Sequence, residues 1–412
     1  DDSKQLTLKD ILSDKQQIRF TPLEHSDVNQ GIDNAAYWIK FSIYNPRANG
    51  VTWVLYPELS TQDNMEIWVK APNGKWLYNK QTDHADFNKR SISYRLLNAT
   101  FKIKSQETTT VYVKLSSESK DFANLNLYVS GQSNLREILA KEYMFYGMYY
   151  GLFLASILLI MSIWLYAETY SYKYYFYFLS YLTCNIFMWL SVNGLSFQLL
   201  WPSNPTLHNQ SLHILYLLVT IFGFLFSREL LNTKKKLPKI DRVLRLLIVI
   251  FIIAIALRVT NFAHDFVFYT AAFGLLSLAT LPLLAWLCYK KGAIYLVFYI
   301  IAWLPYSIST LLHFFSNAFS LTRGDYSSLL VSQFSVLFEC FMLIIATLSK
   351  MQYRSKKLIK LTLQDPLTSL GNRRQLEEHA IALKNHRQDN RQYWLLLIDL
   401  DHFKKINDTY GH

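Results

Sequence analysis

Asp399 and Asp401 stand two residues apart at the end of a nearly all-apolar run, residues 394–398. That run suits a buried strand, and if the backbone stays extended through residue 401, both carboxylates point to one face. Paired carboxylates at a strand end suit one or two Mg²⁺ or Mn²⁺ ions, which bridge and neutralise a nucleoside triphosphate during phosphoryl transfer. The spacing alone says little, because a solvated pair of acids is the commoner occupant of such a place. Glu339 lies near the middle of a long apolar run, where an ionisable group costs about 2.5–3.5 kcal/mol on insertion scales. It either stays protonated and bonds a neighbouring helix or belongs to a ligand or signal-relay site, and His213, Asn185 and Gln333 are further interior polar candidates. Trp68 falls between Glu66 and Lys70 on the polar side of a strand whose Met65, Ile67 and Val69 face the other way. Its ring either packs against a loop or offers a surface on which a sugar stacks.

The acid pair needs elements to hold it. Residues 350–363 read as a helix in which Met351, Leu358 and Leu361 have partial heptad spacing, with Arg354 breaking the seam. Asp365-Pro366 ends that helix, because the residue before proline is pushed out of the α region. Asn372 reads as an N-cap with Gln375 three residues on, starting a helix over 373–386. A polar loop then leads to the apolar run and its two aspartates.

Upstream lies most of the 412-residue chain, 51% apolar, 17% charged and carrying a net charge of +12. About a quarter of a soluble protein is ordinarily charged, so this composition points to membrane-embedded segments and excludes disordered, collagen-like and disulfide-stapled classes. Cys184, Cys288 and Cys340 all sit in apolar runs and form no metal-binding cluster. Residues 1–140 carry 17 Lys and Arg against 16 Asp and Glu, whereas 141–412 carry 25 against 14. The first block alternates apolar and polar residues at period two, as in Tyr37, Ile39, Phe41 and Ile43, and Pro72-Asn73-Gly74 marks a hairpin turn. About seven such strands predict an all-β sandwich or jelly roll.

From Tyr143 the apolar runs lengthen to about 20 residues, the span of a hydrocarbon core. Seven spans are expected, at 143–166, 173–193, 207–228, 243–260, 266–290, 293–315 and 327–349. Fifteen Lys and Arg fall in or beside the connections on one side, against only Arg258 and Arg323 on the other. The positive-inside rule places the first set in the cytoplasm and the β domain outside. The charge excess is then mostly orientation signal, which removes nucleic acid as a partner. An exported domain needs a leader; none precedes Asp1-Asp2-Ser3, so a signal peptide is expected to have been cleaved or to be absent from this chain.

The sequence Asp365-Pro366-Leu367-Thr368-Ser369-Leu370-Gly371-Asn372-Arg373-Arg374, followed by Asp399-Leu400-Asp401-His402-Phe403-Lys404-Lys405-Ile406-Asn407-Asp408, closely resembles the start of the GGDEF family of diguanylate cyclases. The resemblance implies an α/β palm-like, nucleotidyl cyclase-like fold that makes cyclic di-GMP from two GTP held between the subunits of a homodimer. By the same resemblance Asp399 binds the metal by its side chain and Leu400 by its backbone carbonyl, with Asp401 a weaker assignment. His402 and Phe403, through their backbone amides, and Lys404 fall where the family wraps the β- and γ-phosphates. Asn407 matches the residue that bonds the guanine edge. Asp365, Asn372, Arg373 and Arg374 match the structural junction between input helix and catalytic domain. The family's naming motif lies beyond His412 with the second metal-binding acid, so the chain by itself is expected to be inert and the activity to belong to its parent protein.

A β domain, seven spans and a cytoplasmic module also resemble the bacterial seven-transmembrane receptors with diverse intracellular signalling modules. Their outer domain is similar to carbohydrate-binding jelly rolls, and Ala36-Tyr37-Trp38-Ile39-Lys40-Phe41-Ser42-Ile43-Tyr44-Asn45-Pro46 looks like its opening strand. The expected organisation is a sensor domain over 1–140, a membrane domain over 141–349, a signalling helix over 350–364 and the start of the GGDEF domain over 365–412. The expected location is the bacterial inner membrane, in contact with lipid, with an extracytoplasmic small ligand of which a carbohydrate is one form. A receptor whose cyclase-like domain is non-catalytic is the alternative, and a transporter built around Glu339 a more distant one.

Overall fold

The computed structural model describes residues 1–17, 19–23, 29–117, 121–166, 172–260, 262, 264–289, 293–319, 326–365, 368, 370–385, 394–399, 401–402 and 408–410. The chain divides into two compact units, Asp1–Lys350 and Met351–His412.

The first unit opens with two short helical turns, α1 (Leu8–Ile11) and α2 (Asp14–Gln17). Among the described residues nine strands follow: β1 (Asn29–Asp33), β2 (Tyr37–Tyr44), β3 (Val51–Pro57), β4 (Asn64–Lys70), β5 (Trp76–Thr82), β6 (Ala99–Ile103), β7 (Thr108–Ser116), β8 (Asp121–Asn124) and β9 (Leu127–Gly131). They pair antiparallel in three sheets, β2-β7-β4-β5, β6-β3-β9 and β1-β8. The four- and three-stranded sheets share one core. Met65, Ile67 and Val69 of β4 and Val111, Val113 and Leu115 of β7 pack with Leu55 of β3 and Phe101 and Ile103 of β6. The period-two pattern therefore placed the apolar set inward, as one buried face requires. The turn between β4 and β5 closes on Gly74, whose φ of +78° only glycine adopts without strain.

Strand β9 ends at Gly131 and α3 (Gln132–Tyr166) begins at the next residue. Then come α4 (Tyr172–Val192), α5 (Leu195–Leu199), α6 (Pro205–Leu231), α7 (Thr233–Lys236), α8 (Pro238–Val259), α9 (His264–Leu278), α10 (Leu281–Leu287), α11 (Ile294–Phe319) and α12 (Tyr326–Leu363). Their inner faces form one large aromatic core that includes Phe153, Phe178, Tyr181, Phe224, Phe251 and Trp303. Among the described residues, α3, α4, α6, α11 and α12 are long and apolar enough to cross a membrane.

Two of the seven expected spans differ from that picture. The span expected at 266–290 is a pair, α9 and α10, bent by 41°; Pro282 sits in the first turn of α10 and has no N–H to continue the ladder. The span expected at 243–260 corresponds to α8, whose Arg245 and Arg258 leave only residues 246–257 uninterrupted between them. That stretch alone falls short of about 20 apolar residues.

The second unit contains the end of α12 and one further helix, α13 (Arg373–Asn385). The expected buried strand at 394–398 is not found: these residues have no regular structure and their side chains are exposed. A buried strand needs a neighbour to take its N–H and C=O groups, and no described residue pairs with this one.

Candidate functional site

The C-terminal site is approached through a tight turn. Gln364 bridges to Gly371, Asp365 N donates to Leu370 O at 2.7 Å, and Asn372 N donates to Leu363 O at 2.9 Å. Asp365 Oδ1 accepts from Thr368 N at 2.8 Å and from its hydroxyl at 2.9 Å. Asn372 works in two directions: its Oδ1 caps α13 by accepting from Gln375 N at 3.2 Å, and its Nδ2 donates back to Thr362 O at 2.8 Å. Arg373 pairs with Glu377 at 3.1 Å and Arg374 with Glu378 at 3.9 Å, each on its own helix surface. Asp365 and Asn372 thus tie the end of α12 to the start of α13, whereas Arg373 and Arg374, among the described residues, make pairs only within α13.

Asp399 and Asp401 are exposed, and His402 follows in a turn with φ of +60°. Leu400, Phe403, Lys404 and Asn407 lie outside the described residues. Among the described residues no three His, Cys, Asp or Glu side chains come together as a metal cluster. The donor set nonetheless fits a hard cation: Mg²⁺ is usually held by one or two carboxylates plus waters and substrate phosphates, not by an all-protein cage.

On the β domain, Trp68 lies on the outer face of the four-stranded sheet. It stacks on Trp38 with ring centroids 4.9 Å apart and tilts against Tyr78 at 5.3 Å. Lys114 lies 5.5 Å over the Trp38 ring, and its Nζ donates to Lys4 O at 2.7 Å. Lys40 donates to Gln17 at 2.7 Å beside Tyr112. The N-terminal segment therefore covers the β2 and β7 side of an aromatic row and leaves Tyr78 exposed on β5.

A set of contacts that sequence reasoning missed joins this domain to the helices. Arg95, nearly fully buried, donates from Nε and Nη2 to both carboxylate oxygens of Glu142 on α3 at 3.2 Å. Its Nη1 donates to the carbonyl of Asn193, just past α4, at 3.2 Å. Ser60 Oγ donates to Val192 O at 2.6 Å. Gly194 closes the junction with φ of +73°; a Cβ there would lie 2.6 Å from Arg95 O. The Asn193 side chain carries the path inward, its Nδ2 donating to Tyr150 Oη and its Oδ1 accepting from Gln333 Nε2 on α12, both at 2.9 Å. Further along α12, buried Glu339 accepts from Tyr181 Oη at 2.7 Å, and Lys350 Nζ donates to the carbonyls of Glu229 and Leu230 at 2.9 and 2.7 Å. Asn185 donates to Tyr181 O at 2.9 Å. Buried along α12, Gln333, Glu339 and Lys350 thus make three separate polar contacts within the bundle. Glu339, Gln333 and Asn185 were singled out by their place in apolar runs; Arg95, Glu142 and Asn193 carried no such signal.

Comparison with known proteins gives three family matches. Residues 142–350 match the model described as 7TM diverse intracellular signalling, residues 1–129 match 7TMR-DISM extracellular 2, and residues 362–412 match the diguanylate cyclase GGDEF domain. The chain is 40% identical over 67 residues to the probable diguanylate cyclase DgcC of Escherichia coli K12, covering 16% of this chain and 18% of that protein. It is 42% identical over 59 residues to the bifunctional diguanylate cyclase/cyclic di-GMP phosphodiesterase MucR of Pseudomonas aeruginosa, covering 14% and 9%. It is 46% identical over 48 residues to the biofilm architecture maintenance protein MbaA of Vibrio cholerae, covering 12% and 6%. The chain thus spans less than a fifth of the length of these curated relatives.

Proposed function

The chain belongs to the 7TM diverse intracellular signalling family, and from that premise we propose that it is the sensing and transmitting part of a membrane-bound diguanylate cyclase. Its N-terminal β domain, read as a jelly roll over 1–140, faces outward from the bacterial inner membrane. The helices over 141–349 cross the membrane, a signalling helix occupies 350–364, and the GGDEF domain starts at 365 on the cytoplasmic side, where the basic loops lie. The observation that carries this reading is α12, which passes the Asn193 and Tyr181 contacts and continues unbroken to Leu363, where the GGDEF-like sequence begins.

An extracytoplasmic small ligand, such as a carbohydrate stacked on Trp68 and Tyr78, shifts the β domain. The Arg95, Glu142 and Asn193 contacts pass that shift to α12, which alters the pairing of two catalytic domains in a homodimer. Each subunit presents one GTP to the other. Asp399 and the Leu400 carbonyl would hold Mg²⁺ or Mn²⁺, with Asp401 a weaker contributor. Such an ion would supply charge neutralisation for the triphosphate while the 3′-hydroxyl of the opposing GTP displaces pyrophosphate at the α-phosphorus. The backbone amides of His402 and Phe403 and the Lys404 ammonium surround the β- and γ-phosphates, and Asn407 selects guanine because an unmatched buried amide is costly.

The test is conversion of GTP to cyclic di-GMP by the full-length protein in membranes. Wild type forms product and Asp399→Ala loses it while remaining in the membrane; wild-type-like turnover by Asp399→Ala overturns the metal assignment. Absence of turnover in the wild type, with GTP still bound, favours the non-catalytic receptor.

A further inference from the structure

The elbow between α6 and α8 is strongly basic: residues 228–245 hold seven Lys and Arg against two acids, Glu229 and Asp241. Part of that charge serves the fold. Buried Asp241 accepts from Arg228 Nε at 2.8 Å and from Thr233 Oγ1 at 2.7 Å, and Arg245 Nε lies 3.2 Å from its other oxygen. Lys236 Nζ donates to Cys288 O, just past α10, at 3.2 Å. Lys234, Lys235, Lys239 and Arg242 are exposed, and among the described residues their side chains have no hydrogen bond or ion pair. The fold thus leaves four cations uncommitted within residues 234–242.

Lys239 and Arg242 stand at i and i+3 on α8, and Val243, Leu246, Val249 and Ile253 continue the same helix face at i+4, i+7, i+10 and i+14. Each of these four apolar side chains is more than half exposed, whereas Leu244, Ile248, Phe251 and Ala254 pack into the bundle core. From Val243 to Ile253 the face runs about 15 Å, half of a hydrocarbon core of about 30 Å. Beside the elbow, where Lys236 meets Cys288, Trp286 and Tyr289 are exposed as well. Such rings favour the headgroup level of a bilayer. A soluble anion would use the cations and leave the apolar face bare. An anionic lipid uses both, its phosphate at the cations and a chain along α8.

We infer that the elbow between α6 and α8 is a binding site for an anionic phospholipid, with Lys234, Lys235, Lys239 and Arg242 receiving the headgroup phosphate and the exposed face of α8 receiving an acyl chain. A zwitterionic lipid covers the same apolar face but gains much less from the cations, since each Lys or Arg near an anionic surface strengthens binding about fivefold. Arg228 and Arg245 stay with Asp241 and hold the elbow in shape. The inference rests on the membrane reading of the helices and is independent of catalysis.

The test is native mass spectrometry of the full chain in detergent micelles, titrated with phosphatidylglycerol or with phosphatidylcholine of the same chains. The first phosphatidylglycerol is expected to associate at least about fivefold more tightly than the first phosphatidylcholine. Lys239→Gln with Arg242→Gln, and separately Lys234→Gln with Lys235→Gln, are each expected to remove most of that preference; these exposed side chains support no part of the fold, so both variants melt as wild type does. Lys356→Gln with Lys357→Gln makes the same change of charge further along the chain and is expected to keep the preference. Equal affinity for the two lipids, a preference unchanged in both elbow variants, an equal loss in the Lys356 and Lys357 variant, or displacement of the lipid by an equal concentration of glycerol 3-phosphate overturns the proposal. The third of these outcomes points to general attraction to a charged surface, and the last to a site for soluble phosphates. Failure to bind either lipid counts against the membrane reading too, whereas equal affinity overturns this proposal alone.

Discussion

Gln333 Nε2 on α12 donates to Asn193 Oδ1 at the end of α4 at 2.9 Å, and the carbonyl of that same Asn193 accepts from Arg95 of the β domain at 3.2 Å. One residue therefore touches both the outer domain and the helix that leaves the bundle. All of its partners are buried or half-buried, so the bonds are shielded from competition by water, and leaving one unmade is costly.

Gly194→Ala is expected to destabilise the chain by about 1–3 kcal/mol. Its φ of +73° disfavours any side chain, and the new Cβ would meet Arg95 O at 2.6 Å. Thermal melting of the chain in detergent measures the loss, and hydrogen exchange at 192–195 locates it; unchanged melting contradicts the close approach.

Glu142→Ala leaves the buried Arg95 guanidinium without its carboxylate. Breaking one half of a buried pair costs about 3–5 kcal/mol, and Glu142 retains 25% side-chain exposure, so the lower end applies. Arg95→Lys is also expected to lose much of the stability, because an ammonium cannot make the two-pronged contact. A melting temperature equal to wild type in both variants would show that the clamp is dispensable.

Glu339→Gln keeps an acceptor for Tyr181 Oη and is expected to melt close to wild type. Glu339→Leu removes the carboxylate that accepts from this buried hydroxyl, at about 1–3 kcal/mol. Equal melting of the two variants argues against a structural hydrogen bond.

The Tyr37 hydroxyl donates to Asp33, and that bond holds the Asp33 carboxyl below its ordinary range. The folded state then favours the charged form, so the stabilisation is fully present above the unfolded pKa of about 3.9 and is lost as pH falls through the lower folded value. The difference in stability between wild type and Tyr37→Phe should be constant near neutrality and shrink from about pH 4 downward. A difference that grows on acidification contradicts the assignment.

Much of this architecture was legible because it obeys local rules. Asn372 was readable as a cap from its side-chain type and from Gln375 three residues on, Gly74 from the turn it must make, and the strand faces from period two. The Arg95 to Glu142 pair was not, since the partners are 47 residues apart and nothing local links them. The break between α9 and α10 had a signal in Pro282, which the length of the apolar run concealed. Residues 394–398 have the composition of a buried strand, but composition supplies no hydrogen-bonding neighbour. Asp399 and Asp401 were singled out by spacing and by family resemblance; Lys404 and Asn407, named only through that resemblance, lie outside the described residues.

The central claim is that Asn193 passes a change in the β domain to α12 and from there to the catalytic domain. The direct measurement is the rate of cyclic di-GMP synthesis by the full-length protein in membrane vesicles, for wild type, Asn193→Leu, Gln333→Leu and the double variant, each normalised to folded protein. The account predicts that each single substitution changes the rate by about tenfold, as loss of a buried hydrogen bond of about 1–2 kcal/mol implies, and that the double variant does no more than either single one. Wild-type rates in both single variants, or fully additive effects in the double, would contradict it.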